Sequence, residues 1–278
     1  MTSLPDDIES QYNPRKAVAN VEAFAERAAA RSAATRASRR ARLGLRYGAS
    51  PLSTLDVFPA DTPDAPLHVF LHGGYWRGRD KGDYSYVADA LVPLGITTVV
   101  MNYDLCPAVE LPAIVRQVRE GLQWIHAHAR ELGGDPAHLT ASGHSAGAHL
   151  IAAALPLQGE PAPAWMPRAA VLVSGIYELQ PVLSISVNQE IRLRPEQVDA
   201  MSPMRHPPTA AVPLVVVAGG AETASWVGQS RDFAKQCVAA GGQAAYVELP
   251  GLHHYSIMNA LERPEDTLAR LIAAYARA

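Results

Sequence analysis

The pentapeptide Gly-His-Ser-Ala-Gly at 143–147 is the stretch of this sequence whose residue types point most directly to chemistry. Its spacing, G-x-S-x-G, is that of a serine on a sharp turn between a strand and a helix. Glycines flank such a serine because the turn leaves almost no room for neighbouring side chains. A predicted strand at 138–142 precedes the pentapeptide, and an alanine-rich stretch typical of a helix follows it. The pattern therefore predicts that Ser145 is a nucleophile exposed above a strand end.

A serine hydroxyl is a weak nucleophile, so a base and a carboxylate that orients the base are needed elsewhere in the chain. Glu222 follows the apolar stretch 213–220 in a glycine-rich loop, and we predict that it is this carboxylate. The alternative for Glu222 is a structural role as the cap of the next helix. Asp199 and Asp232 are the aspartates of this interval, but neither follows a predicted strand.

Two adjacent histidines, His253 and His254, follow the last predicted strand. In chains with this type of serine turn the order is serine, acid, histidine, so the base belongs in this loop. We predict that His254 is the base and that His253 shapes the loop, with the reverse assignment as the alternative.

The sequence HGGYW at 72–76 follows a second apolar stretch and contains two adjacent glycines. Attack by Ser145 would create an oxyanion, which backbone N–H groups stabilise when they point at it. We predict that these donors are the N–H groups of Gly74, Tyr75 and Ala146. His72 is expected to anchor the loop by hydrogen bonding.

Apolar stretches typical of strands alternate along the chain with stretches typical of helices. The predicted strands are 53–58, 67–71, 96–103, 138–142, 169–175, 213–220 and 243–251. This alternation predicts a single α/β domain over 1–278, with a mostly parallel sheet and helices on both of its faces. Residues 178–207 interrupt the alternation, and we expect a small helical cap there. Residues 1–46 are expected to form an N-terminal helical segment, with the arginines of 27–46 facing solvent.

The composition is that of an ordinary globular enzyme, with 278 residues, 48% hydrophobic and 18% charged. A net charge of -3 gives no reason to expect nucleic acid or an anionic membrane as a partner. No stretch approaches the ~20 apolar residues of a membrane span. Two cysteines and an acidic, polar start to the sequence favour a cytoplasmic protein. We expect a small-molecule substrate and no metal or other cofactor, and leave a homodimer open.

Several stretches together resemble the kynurenine formamidase, or arylformamidase, branch of the α/β-hydrolases. They are QYNPR, HGGYWRGRDKGDYSYVA, NYDLCP, GGDPAHLTASGHSAGAHL, VAGGAETASWVGQSRDFA and HHYSIMNAL, which together extend over nearly the whole chain. The resemblance implies an α/β-hydrolase fold and a metal-free serine hydrolase whose oxyanion hole includes Gly74 and Tyr75. Two positions depart from the family's pattern. The acid is Glu222 where animal members have aspartate, and Tyr255 follows the histidine in place of phenylalanine.

Three classes of function are compatible with these residues: a deformylase of N-formyl aryl amines such as N-formylkynurenine, a carboxylesterase or amidase, and a binding protein without catalysis. A complete set of Ser145, Glu222 and His254 argues against the third class, and the resemblance favours the first.

A formyl group needs only a shallow pocket, and we expect Tyr75 and Trp76 to close that pocket, although packing alone would also explain Trp76. The leaving aryl amine is expected near Tyr177 and Asn188, with Tyr255 offering a ring for stacking.

Overall fold

The computed structural model describes residues 7–157, 159–208 and 211–278, so residues 1–6 of the predicted N-terminal segment lie outside it. Within these ranges eight strands form one sheet: β1 Arg42–Arg46, β2 Thr54–Phe58, β3 Ala65–Leu71, β4 Thr97–Met101, β5 Gly134–His144, β6 Ala170–Val173, β7 Leu214–Gly219 and β8 Ala244–Leu249. The strand order is β1-β2-β4-β3-β5-β6-β7-β8. The β2 strand is antiparallel to β1 and β4, and all other neighbours are parallel.

The α-helices of the described residues are α1 Ile8–Tyr12, α2 Pro14–Ala17, α3 Val21–Ser38, α4 Val87–Leu91, α5 Leu111–Ala127, α6 Ala146–Ala154, α7 Asn188–Ile191, α8 Pro195–Met201, α9 Ala224–Ala239 and α10 Thr267–Arg277. Short 3₁₀ helices lie at Lys81–Asp83, Val92–Leu94, Gln180–Ser184 and Ser256–Leu261. None of the helices in the described part of the chain is both long and apolar enough to cross a membrane.

The two faces of the sheet bury separate apolar cores. In β3 the side chains of Leu67, Val69 and Leu71 join the core under α5, α6 and α9, whereas Phe70 joins the core under α4 and α10. This alternation follows from the two-residue period of a strand. Because both faces are covered, strands in the middle of the sheet can be buried throughout, as in β4 and β7, whose residues are all buried. The predicted α/β-hydrolase fold, with its mostly parallel sheet between helices, is confirmed.

The N-terminal segment differs from the expectation that 1–46 would be helical with its arginines in solvent. The α3 helix ends at Ser38, and residues 42–46 form the exposed edge strand β1. The inner face of α3 is polar rather than apolar, because Ser32 and Thr35 are the buried residues in its middle and last turns. The α3 arginines also contact the domain: Arg27 and Arg31 both form ion pairs with Glu262. Apolar periodicity gave no signal for this contact because polar groups make it.

The carboxyl ends of β3 and β5 lie side by side, since Leu71 pairs in register with Gly143. The β7 and β8 strands end at the same edge of the sheet, because Gly219 pairs with Leu249. Ligands bind at this edge in open α/β sheets. The loops after these four strands contain the residues that the sequence singles out for catalysis.

Candidate active site

Ser145 is the single residue between β5 and α6, and its backbone has a conformation that residues other than glycine rarely adopt. Its φ is 55° and its ψ is -119°, a strain of roughly 1–3 kcal/mol that the surrounding fold must offset. A Cβ atom on Gly143 would lie 2.4 Å from the carbonyl carbon of Gly147, and one on Gly147 would lie 2.2 Å from the Leu71 oxygen. The two glycines are therefore required by close backbone packing. The N–H group of Ser145 donates to the Val173 oxygen at 2.8 Å, which holds the turn.

Ser145, His254 and Glu222 lie in one hydrogen-bonded row. Nε2 of His254 is 3.0 Å from Oγ of Ser145, and Nδ1 of His254 is 3.2 Å from Oε2 of Glu222. The other oxygen of the carboxylate accepts hydrogen bonds from the N–H group of Gly219 at 2.9 Å and from the hydroxyl of Ser174. All three side chains are almost inaccessible to solvent. The Glu222 carboxylate can accept a hydrogen bond from a protonated Nδ1 of His254, which leaves Nε2 unprotonated and able to receive the serine proton.

His253 lies outside this row. Its Nδ1 accepts hydrogen bonds from the N–H groups of Tyr255 at 3.2 Å and Ser256 at 3.3 Å, and its ring meets Phe24 edge-on at 5.0 Å. It therefore shapes the loop that carries His254. Asp199 and Asp232, the alternative carboxylates, form surface ion pairs with basic residues instead.

The loop after β3 has three consecutive residues with positive φ: Gly74 at 115°, Tyr75 at 52° and Trp76 at 56°. Gly73 packs against the nucleophile, since a Cβ atom there would lie 3.1 Å from Cβ of Ser145. Among the residues that the structure describes, no acceptor binds the N–H groups of Gly74, Tyr75 or Ala146. Unsatisfied N–H groups beside a serine are what an oxyanion requires.

His72, the first residue of the same loop, anchors it at the end of β3. Its ring stacks on that of Tyr103 at 4.3 Å and bonds Oδ1 of Asn102 through Nε2 at 3.0 Å. The Tyr103 hydroxyl donates to the His72 carbonyl oxygen at 2.6 Å, and the N–H group of Cys106 donates to the Trp76 oxygen at 2.7 Å. These bonds at both ends hold the three residues with positive φ in place.

A cavity of about 340 Å³ opens over Ser145 and His254. Aromatic side chains form much of its wall: Phe24, Tyr75, Tyr84, Tyr86 and Tyr255. Its cover comes from the N-terminal segment, which contributes Asn13, Pro14 and Arg15 and several residues of α3. The segment 178–207 contains short helices, but none of its residues borders this cavity, so the cover differs from the predicted cap.

Comparison with known proteins shows which family this chain belongs to. A family model described as alpha/beta hydrolase fold matches residues 68–258. Kynurenine formamidase of Danio rerio is 29% identical over 283 residues, covering 96% of this chain and 94% of the relative. Kynurenine formamidase of Drosophila melanogaster is 30% identical over 240 residues, covering 82% of this chain and 79% of the relative. The chain belongs to the kynurenine formamidase family of α/β-hydrolases.

Other members of the wider α/β-hydrolase fold are also similar. Esterase LipQ of Mycobacterium tuberculosis is 30% identical over 210 residues, covering 68% of this chain and 50% of the relative. A solved structure from Silicibacter sp. TM1040, provisionally named a thioesterase, has a TM-score of 0.81 and 27% identity, covering 96% of this chain and 98% of that one. These relatives and the family show that the protein is a hydrolase of ester or amide bonds.

Two of the five residues predicted to bind substrate line the cavity of this kynurenine formamidase relative, namely Tyr75 and Tyr255. The other three do not, and the structure corrects those predictions. Trp76 is fully buried and donates from Nε1 to Nδ1 of His149 at 3.1 Å. Tyr177 is fully buried and stacks on Phe233 at 4.1 Å. Asn188 uses its amide to bond the backbone of Leu193 around α7.

Sequence reasoning missed the part of the cavity wall that comes from the N-terminal segment and from the loop after the oxyanion donors. Tyr84 and Tyr86 could have been predicted to line the cavity, because both lie in the stretch after HGGYW. Phe24 gave no such signal, since it lies outside every motif in the sequence. Within the described ranges, no group of three or more histidine, cysteine or acidic side chains is placed to hold a metal ion.

Proposed function

We propose that this hydrolase removes the formyl group from N-formyl aryl amines such as N-formylkynurenine, with Ser145 as nucleophile, His254 as base and Glu222 as the acid that orients it. The observation that carries the proposal is the hydrogen-bonded row Ser145–His254–Glu222, which opens into a cavity walled by aromatic rings. The kynurenine formamidase relatives support the formyl substrate, and the esterase relatives support the same bond chemistry.

In the first half-reaction Oγ of Ser145 attacks the formyl carbon while Nε2 of His254 takes the hydroxyl proton. The negative charge that develops on the formyl oxygen is received by the N–H groups of Gly74, Tyr75 and Ala146. When the C–N bond breaks, the same Nε2 returns the proton to the nitrogen of the leaving aryl amine. The product on the enzyme is the formyl ester of Ser145.

In the second half-reaction a water molecule takes the place of the amine. His254 removes a proton from the water as it attacks the formyl ester, and the oxyanion forms again at the same donors. Collapse of this intermediate breaks the bond to Oγ, and His254 returns the proton to Ser145. Formate leaves. Glu222 stays ionised throughout and stabilises the imidazolium through Nδ1.

The acyl side of the site favours a small group. Tyr75 is held by a hydrogen bond from its hydroxyl to the Tyr12 oxygen at 2.5 Å, and its ring packs edge-on against Trp76 at 5.4 Å. A longer acyl chain would have to displace this ring, at roughly 1–3 kcal/mol for overpacking. The leaving aryl amine has room on the other side, where Phe24, Tyr84 and Tyr255 offer rings for stacking.

A carboxylesterase acting on short acyl esters is the second candidate, favoured by the similarity to esterase LipQ. It would use the same three residues and the same donors, so only the preference for acyl group and leaving group separates it from the first. A binding protein without catalysis would have no need of the buried bond between His254 and Ser145.

The substrate preference is tested by kcat/KM on one aromatic amine carrying formyl, acetyl or butyryl, with p-nitrophenyl acetate and butyrate for comparison. A deformylase should lose about tenfold or more at each longer acyl group, in line with the overpacking cost. A profile that rises from acetyl to butyryl, with N-formylkynurenine barely hydrolysed, would instead identify a carboxylesterase.

We further propose that the enzyme works in a reducing cytoplasm on a small-molecule substrate. Cys106 and Cys237 are both unpaired and buried, which suits a compartment where thiols remain reduced.

A further inference from the structure

The charged residues that line the cavity are Arg15, Arg27, Arg77, Arg79, Asp83 and Glu262. Most of them neutralise one another or a close neighbour. Arg27 pairs with Glu262 at 2.6 Å. Arg15 pairs with Glu22 at 2.6 Å, and Arg77 pairs with Glu190 at 2.5 Å.

Arg79 and Asp83 are the exceptions. Neither side chain forms an ion pair or a hydrogen bond with any residue in the described part of the chain, and the two do not pair with each other. Both are half-buried in the wall of the cavity. A half-buried charge without a partner loses part of its hydration and gains nothing in return, unless a ligand supplies the opposite charge.

Arg79 is placed beside the reacting centre. It follows the oxyanion loop with a φ of 73°, and its Cγ would lie 3.0 Å from a Cβ atom on Gly74. The stem of the side chain therefore packs against Gly74, one of the proposed oxyanion donors, and Arg79 lines the cavity beside it. Its charge also acts on the ring of His144, whose pKa is lowered to about 3 by burial first, then by His254 and by Arg79.

Asp83 lies four residues further on, in the 3₁₀ helix Lys81–Asp83. The cavity wall thus carries a free cation and a free anion on one short loop, next to the rings of Tyr84 and Tyr255. A ligand that complements both charges must itself bear an anion and a cation. The α-amino acid group, with a carboxylate and an ammonium on one carbon, has this arrangement.

We propose that Arg79 binds the carboxylate and Asp83 binds the ammonium of an α-amino acid group on the leaving amine of the substrate. The inference rests on the proposed function, in which an aryl amine occupies this part of the cavity. The planar guanidinium can form two parallel hydrogen bonds to a carboxylate, and the Asp83 carboxylate can accept from an ammonium. The formyl end then reaches Ser145 while the amino acid end is held by the loop that follows the oxyanion donors.

The test compares substrates that lose one charge at a time. They are N-formylkynurenine, N-formylkynuramine, which lacks the carboxylate, and the deaminated acid, which lacks the ammonium. Wild-type kcat/KM should fall about 10- to 100-fold when either charge is removed, the range of a charge-assisted hydrogen bond, and mainly through KM. Arg79→Gln should abolish the preference for the carboxylate only, and Asp83→Asn the preference for the ammonium only. Arg79→Lys should keep part of the carboxylate preference, because it retains the positive charge but cannot form two parallel hydrogen bonds to the carboxylate.

Arg15→Gln is the matched control, since Arg15 lines the same cavity but is already paired with Glu22. It should keep both preferences. An Arg79→Gln enzyme that still prefers the carboxylate as strongly as the wild type would overturn the assignment.

The ester pair O-acetyltyrosine and O-acetyltyramine separates this assignment from the proposed function. An enzyme that ignores N-formylkynurenine yet prefers O-acetyltyrosine through Arg79 would refute the deformylase and retain the amino acid site. Equal rates on the two esters and on the kynurenine pair would refute the amino acid site alone.

Discussion

The hydroxyl group of Tyr75 donates a hydrogen bond to the carbonyl oxygen of Tyr12 at 2.5 Å, so the oxyanion loop is joined to the N-terminal segment. The next residue back, Gln11, makes a second connection, because its carbonyl oxygen accepts from Oγ1 of Thr223 at 2.7 Å. Thr223 directly follows Glu222 in sequence. The segment that covers the cavity is therefore attached both to the loop of the proposed donors and to the loop of the proposed acid.

Tyr75→Phe should loosen this cover, because it removes the hydroxyl and leaves the backbone N–H group of residue 75 in place. We expect KM to rise about 3- to 10-fold with a smaller change in kcat, since one hydrogen bond contributes about 1 kcal/mol. Steady-state kinetics on the preferred substrate measure the split. Tyr275→Phe, on α10 and away from the cavity, is the control. A loss confined to kcat would mean that the hydroxyl acts in the transition state instead.

Ser145→Ala should lower kcat by about 10³-fold or more, because no other group can form the acyl-enzyme. Labelling with a fluorophosphonate, read by intact mass and peptide mapping, should modify the wild type once, at Ser145, and leave the variant unmodified. Ser184→Ala, an exposed serine without a role in the site, should label and turn over as the wild type does. A label on any other serine would refute the assignment of the nucleophile.

His254→Ala and His253→Ala should differ sharply, although the two residues are neighbours. Removal of His254 takes away the base 3.0 Å from Ser145, and we expect a loss of about 10³-fold or more in kcat. Removal of His253 takes away only the acceptor of the N–H groups of Tyr255 and Ser256, so the loss should be about tenfold or less. A larger loss in His253→Ala than in His254→Ala would reverse the assignment.

Glu222→Ala should cost about 10²- to 10⁴-fold in kcat, because the imidazole then lacks the partner that fixes its tautomer and orientation. Glu248→Ala is a suitable control, since Glu248 is an exposed carboxylate near the end of the neighbouring strand β8. Ser174→Ala should have a smaller effect of the same kind, through the carboxylate it bonds. Full activity in Glu222→Ala would refute the assignment of Glu222 as the acid that orients His254.

The sequence was sufficient to predict the fold and the three residues that the structure brings together, Ser145, His254 and Glu222. The reason is that each of them follows a predicted strand of the parallel part of the sheet, and the ends of parallel strands meet at one edge of the sheet. Ser145 follows β5, Glu222 follows β7 and His254 follows β8, so a strand prediction alone places them near one another. The glycine requirements at 143 and 147 are equally local, since they arise from the turn itself.

The cavity wall could not be predicted in the same way, because it depends on contacts between distant parts of the chain. Phe24 reaches the site only because α3 packs on the domain, and α3 does so through polar groups such as Thr35, which bonds Asp89 at 2.6 Å. Trp76 was predicted to close the acyl pocket because it follows the oxyanion glycines, and Tyr177 to contact the leaving amine because it lies next to the predicted cap. Both instead fill the core, where His149 and Phe233 are their partners.

Three buried histidines should make the folded state sensitive to mild acid. Burial lowers the pKa of His68 to about 3 and of His149 to about 4, and burial followed by the nearby His254 lowers that of His144 to about 3. In the unfolded chain each imidazole has its ordinary pKa of 6.5. Below that pH the imidazoles bind protons in the unfolded state but not in the folded state. Each histidine therefore contributes stability that is complete above about pH 6.5 and is lost progressively as the pH falls toward its folded pKa.

The free energy of unfolding, measured by urea titration at pH 7, 6 and 5, should fall with a slope that approaches about 1.4 kcal/mol per pH unit for each of these histidines. Most carboxylates are still ionised in this range, so the histidines dominate the change. His68→Asn should reduce the slope by the share of one histidine. Ser142→Ala removes only the hydroxyl that bonds Nε2 of His68, so it should lower stability at every pH and keep the slope. A free energy of unfolding that is constant from pH 7 to pH 5 would contradict the assignment of neutral, buried imidazoles.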